Sequence, residues 1–176
     1  MMARIMQKPL KVLVLIGLVV GAVLGMAGTL VTSDLLRAEL WAIDSTMLVV
    51  ATVLLALYFF RQGSDAVAAG FLVYAIGEAV MLGGTANSLA ASVPAFAAGT
   101  ALWAAGLALT SWPPVMPIWS RATGIVAAVL FGVTSLRIFA GTPLSPLSKP
   151  FPYFAYPFLV LTLAGWFWKT VKIKDE

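Results

Sequence analysis

Six apolar runs, at about residues 12–31, 43–60, 66–84, 92–110, 118–140 and 154–168, take up most of the chain, with short polar turns between them. A helix crossing the roughly 30 Å hydrocarbon core of a bilayer needs about 20 such residues. The runs predict an all-α fold: a polytopic transmembrane helical bundle of six spans, forming one membrane-embedded domain over residues 1–176. Composition points the same way. Of the 176 residues, 61% are hydrophobic and 10% are charged, whereas soluble domains carry roughly 25% charged residues.

The absences narrow the chemistry. The chain has no cysteine and no histidine. Disulfides, thiolate metal sites and imidazole proton shuttles are thereby excluded, as is the usual nitrogen ligand for zinc, copper or haem iron. No glycine-rich phosphate loop, EF-hand or dinucleotide fingerprint occurs, so the sequence names no cofactor and no metal. The formal charge of +4 comes from bases at the ends of the apolar runs. No basic stripe with interleaved aromatics exists, so nucleic acid is not an expected partner. The expected partner is the lipid bilayer itself, in a bacterial plasma membrane.

Arg4, Lys8 and Lys11 precede the first run. That opening resembles a signal peptide, but residues 12–31 exceed the roughly 7–15 residues of an h-region, so the run is expected to stay as the first span. Gly17, Gly21 and Gly25 recur on one face of it, a small-xxx-small pattern that admits a second backbone at close range. That face serves packing within the bundle, or a seam to a membrane-protein partner or a second copy of the chain.

Residues 33–40 mix Leu35, Leu36 and Leu40 with Asp34, Arg37 and Glu39, behind the N-cap candidate Ser33. They predict a short amphipathic turn in the interface, with Trp41 as an interfacial aromatic, before a separate second span. Asp65 reads as the N-cap of the third span, and Trp112-Pro113-Pro114 as the stop of the fourth. The prolines of residues 141–153 predict an extended, polyproline-like loop. With both termini cytoplasmic, the inner side carries Arg4, Lys8, Lys11, Arg61, Arg121, Lys169, Lys172 and Lys174, and the outer side Arg37, Arg137 and Lys149. Eight bases against three is a positive-inside bias. The first three spans do not resemble the last three, which gives an inverted-repeat transporter no support.

Heights along the spans follow from the helical rise of about 1.5 Å per residue. Counted from inner markers, Glu78 stands roughly 20 Å up, Arg137 roughly 24 Å and Asp44 roughly 25 Å. Three charged groups on three spans thus share a layer in the outer half. Each has a simpler reading: Asp44 as a surface cap of the second helix, Arg137 as a snorkelling cation, Glu78 as a protonated packing residue. An acid at that depth costs about 2.5 kcal/mol or more by insertion scales and calls for a partner. Arginine, always charged and forked, is the expected one, which pairs Glu78 with Arg137 across spans three and five. Tyr74, Asn87, Thr134 and Tyr156 complete the candidate polar layer.

The functional expectation is a small, non-enzymatic integral membrane protein that binds or passes a small or lipid-like ligand at this layer. Two alternatives stand beside it. One is an accessory or assembly subunit of a larger membrane complex. The other is an intramembrane lipid-modifying enzyme working through Asp44 and Glu78, since carboxyl groups can be tuned by burial.

Overall fold

The computed structural model describes residues 5–85 and 92–174, and its regular elements are all helical. They are α1 (Lys8–Leu30), α2 (Asp34–Arg61), α3 (Asp65–Thr85), α4 (Val93–Ser111), α5 (Ile118–Phe139) and, after a 3₁₀ turn (Tyr153–Ala155), α6 (Tyr156–Val171). The first five are long and apolar enough to cross a bilayer, while α6, at 16 residues, is short. Local chemistry sets several boundaries. Prolines stand in the first turns of α1, α4 and α6, where a missing N–H leaves no hydrogen bond unmade. Ser33 caps α2, its hydroxyl accepting from the Leu36 N–H at 3.3 Å.

Each helix packs on its neighbours in the chain, and α6 also packs on α1, which closes a ring of six. The chain ends meet at one end of this ring. There the Met6 N–H donates to the Lys174 carbonyl at 3.2 Å, and Lys11 Nζ donates to the Ile173 carbonyl at 2.6 Å. The α1–α2 and α5–α6 connections lie at the opposite end.

Two of the contacts depend on glycine. On α1, Gly17, Gly21, Gly25 and Gly28 face Met47, Leu48, Asp44 and Trp41 of α2. On α3, Gly70 lies over Gly106 of α4, Gly77 over Gly99, and Gly84 over Ala95. A Cβ on Gly106 would stand 2.7 Å from the Gly70 carbonyl oxygen and 2.8 Å from the Tyr74 nitrogen, so the two backbones are in contact. Elsewhere the interior is filled by rings. Phe59, Phe71, Trp166, Tyr74, Trp103, Phe131 and Tyr156 form an unbroken row with centroid separations of 4.7–5.7 Å, drawing on every helix except α1.

Three local expectations are corrected. Residues 33–40 are not a separate interfacial turn but the start of α2, a continuous helix of 28 residues. Nothing between Leu40 and Ile43 breaks a helix, and Arg37 has partners that hold the first turns in place. Asp65 is the first residue of α3, not its cap. The 141–153 loop is folded into turns instead of extended. Ser148 Oγ accepts from the Ser145 N–H at 2.9 Å, and the Ser148 carbonyl accepts from the Tyr153 N–H at 3.2 Å. These serine bonds close turns that the prolines alone would leave open.

The glycine contacts give a direct test. Gly106→Ala forces a methyl group into backbone and is expected to cost about 1–3 kcal/mol, the usual range for overpacking. Gly83→Ala, with nothing within 4 Å of its Cβ position, is expected to be neutral or slightly stabilising. Thermal melting of both variants in one detergent decides it; equal melting temperatures would remove close backbone approach as the basis of the α3–α4 contact.

Candidate functional site

A cavity of about 480 Å³ opens among α1, α2, α3, α4 and α6, in the half of the ring away from the chain ends. Its walls are largely apolar, with Met26, Leu48, Phe96 and Leu159 among them. Asp44 and Ser45 of α2 and Glu78 of α3 supply a polar patch, and Trp103 and Tyr156 supply aromatic faces.

Glu78 is 1% exposed. Its Oε2 accepts from Ser45 Oγ at 3.0 Å, and its Oε1 has no partner. Asp44, 9% exposed, lines the same cavity, and its Oδ1 also lacks a partner. Gly25 makes room for it, since a Cβ there would stand 2.8 Å from Asp44 Oδ2. Tyr74 is fully buried, its ring stacked on Trp103 at 5.6 Å. Its hydroxyl lies beside the Glu78 carboxyl but outside hydrogen-bonding geometry. Trp103 Nε1 is unpartnered as well. Among the described residues, the buried side-chain polar atoms without a partner are these four, and all belong to one neighbourhood.

The rest of the interior behaves differently. Thr52, Thr100, Thr110, Thr134, Thr162 and Thr170 are buried, and each returns its hydroxyl to the carbonyl four residues back, at 2.6–3.0 Å. Such hydroxyls are satisfied within their own helix, and Thr162 also meets the Thr123 hydroxyl of α5 at 3.1 Å.

Arg37 lies at the edge of the cavity nearest the α1–α2 connection. It is 8% exposed, forms an ion pair with Asp34, and donates to the Gly28 carbonyl at 3.2 Å and the Val31 carbonyl at 2.6 Å. A cation there satisfies the last carbonyls of α1 and complements the negative end of its dipole. Beside it, Trp41 Nε1 donates to the Gly25 carbonyl at 3.2 Å.

The expected Glu78–Arg137 pair does not form. Arg137 is exposed in the last turn of α5, and α4 separates α5 from α3. No described lysine or arginine reaches ion-pair distance of Glu78 or Asp44. Asp44 is not a surface cap, because it lies inside α2 nearly three turns from the start. Thr134 is tied to the Leu130 carbonyl and does not line the cavity. Tyr156 does line it, and Tyr74 reaches it through Glu78 and Trp103. Asn87 lies outside the described residues. Gly17, Gly21 and Gly25 face α2.

Two contributors were missed in the sequence. Ser45 stands at the same height as Asp44 and within reach of Glu78, a match that residue counting allows. Arg37 was signalled by its spacing from Asp34, three residues on, just after a link too short to separate the end of α1 from the start of α2. Compared with known proteins, the chain matches no protein-family model, no curated protein and no solved structure.

The two arginines are expected to differ sharply. Arg37→Met removes charged donors from buried carbonyls and should cost about 1.5–3 kcal/mol. Arg137→Met should leave the melting temperature where it is. Denaturation of the purified variants measures both, and a loss at Arg137 as large as at Arg37 would restore the pairing that the geometry denies.

Proposed function

We propose that this protein crosses the membrane six times with both termini cytoplasmic, and that it binds a small amphipathic or lipid-like molecule in the cavity. One observation carries the binding reading: of the four buried polar atoms without protein partners among the described residues, three belong to side chains lining one mostly apolar cavity, Asp44, Glu78 and Trp103, and the fourth is the Tyr74 hydroxyl beside Glu78. Leaving a buried polar atom unpaired costs about 1–3 kcal/mol. Elsewhere the interior avoids that cost by back-bonding and, at Ser120 and Ser135, by donating to a carbonyl of a neighbouring helix, so its concentration here fits a site completed by a ligand.

The aromatic row favours binding over passage. It fills the ring from Tyr156 at the cavity to Phe59 near the turn at the other end, leaving the cavity blind on the side of the chain ends. The sixth pass is supported by length. The 3₁₀ turn and α6 run without a break from Tyr153 to Val171. With rises of about 2.0 Å and 1.5 Å per residue they cover roughly 30 Å, the thickness of the hydrocarbon core. The bias of eight bases to three supports the orientation, which sets the cavity in the outer half. The meeting of two acids also favours a second reading, acid–base turnover of a bound lipid, which would show as product formed from the bound molecule.

Ala38 lines the cavity, and its methyl side chain makes no hydrogen bond to the acids there. Ala38→Trp is expected to fill the space while leaving the fold intact. Native mass spectrometry of protein released from its membrane should show a co-purifying small molecule in the wild type and at least tenfold less in this variant. Equal occupancy would sink the reading. Orientation has its own test, clean because the chain lacks cysteine. In intact cells, Lys149→Cys should react with a membrane-impermeant maleimide, and Asp65→Cys should react only after permeabilisation.

A further inference from the structure

We infer that the cavity selects an amphipathic organic cation, whose ammonium group sits between Asp44 and Glu78 while its apolar body lies along Trp103, Phe96 and Leu159. The inference rests on the binding reading above and adds the charge and shape of the ligand. Three features of the site converge on it.

The first is uncompensated acid. Of the four charged side chains that line the cavity among the described residues, Asp34 and Arg37 neutralise each other, which leaves Asp44 and Glu78. No described lysine or arginine reaches either. Ionising either acid here calls for a countercharge, which a cationic ligand supplies and an anionic or neutral one does not.

The second is the direction of hydrogen bonding. Asp44 Oδ1 and Glu78 Oε1, each on a side chain at least nine-tenths buried that lines the cavity, lack a partner in hydrogen-bonding geometry, the Tyr74 hydroxyl lying beside the Glu78 carboxyl. Ionised carboxylates accept only, and a primary ammonium is all donor, with three N–H bonds to give. Ser45 already donates to the other Glu78 oxygen, which fixes the carboxyl group in place.

The third is the remainder of the wall. A bare divalent ion takes six or more oxygen ligands, and the described residues contain no cluster of three or more His, Cys, Asp or Glu side chains to supply them. The lining beyond the acids is apolar and aromatic. Apolar walls suit a hydrocarbon body, and an indole face attracts a cation within about 6 Å.

A charge series on one carbon skeleton tests this: 4-phenylbutylammonium, 4-phenylbutanol and 4-phenylbutanoate, titrated calorimetrically into the protein in lipid nanodiscs, with empty nanodiscs subtracted. The ammonium is expected to bind at least tenfold more tightly than the alcohol, and the carboxylate not to bind. Glu78→Gln and, as a second variant in case the first does not fold, Asp44→Asn should each lose that preference while still binding the alcohol. Repeating the titration with phosphatidylethanolamine in the nanodisc separates two sources of the ammonium. Competition by the lipid assigns it to a headgroup, and no competition to a free amine. Alcohol and ammonium binding equally, both blocked by Ala38→Trp, would overturn the cation preference and leave the cavity a ligand site. Binding of none of the three would overturn both.

Discussion

Helices meeting inside a bilayer gain little from hiding apolar surface, because lipid tails are as apolar as leucine. What holds this ring together is how closely its backbones approach, and that is decided by glycine. On α1 the glycines leave room for the Leu48, Asp44 and Trp41 side chains of α2, and α3 meets α4 backbone against backbone at Gly70 and Gly106. Close approach maximises dispersion contacts and shortens the path between facing peptide groups. Neither pair would keep that geometry with larger residues at these positions.

The same packing distributes the space in the ring. Two tight pairs draw α1 towards α2 and α3 towards α4, and the volume left between them is filled in two ways. Towards the chain ends the aromatic row fills it. Towards the other end it stays open, as the cavity. Polar groups are sorted along the same division. Threonines in the packed interior turn back onto their own helices, whereas the acids at the cavity have carboxyl oxygens that no helix satisfies. Gly25 ties the two effects together, since its missing side chain both admits α2 and leaves room for the Asp44 carboxyl group.

Much of this was legible from residue types and spacing. The long apolar runs gave the helices, and counting along them put Glu78 and Asp44 at one level, where the structure brings them together. The Glu78–Arg137 pair failed for a geometric reason: counting residues fixes height along a helix but not position around a ring. Helices α3 and α5 hold those residues at similar heights on non-adjacent members. The α3–α4 contact was also readable and was passed over. Gly70, Gly77 and Gly84 recur every seven residues, as do Gly99 and Gly106, and seven residues are nearly two full turns, so each set shares a face. Arg37 was harder to see, because its burial depends on the α1 end folding back against the start of α2. No local pattern in residues 33–40 states that contact.

Arg37 also explains why one rim of the cavity is fixed. Its guanidinium joins the last carbonyls of α1 to Asp34 on the first turn of α2. Trp41 adds a second tie to the Gly25 carbonyl one turn deeper. The opposite rim is built differently. There Pro146 comes from the 141–153 loop, whose turns are closed by serine hydroxyls and short backbone bonds and not by an ion pair. Neutral serine bonds of this kind are weaker than charge-assisted ones by about a factor of two. The cavity is thus bounded on the Arg37 side by charge-assisted bonds and on the Pro146 side by neutral ones, and its acids lie on the helices α2 and α3 that carry Asp44, Ser45 and Glu78.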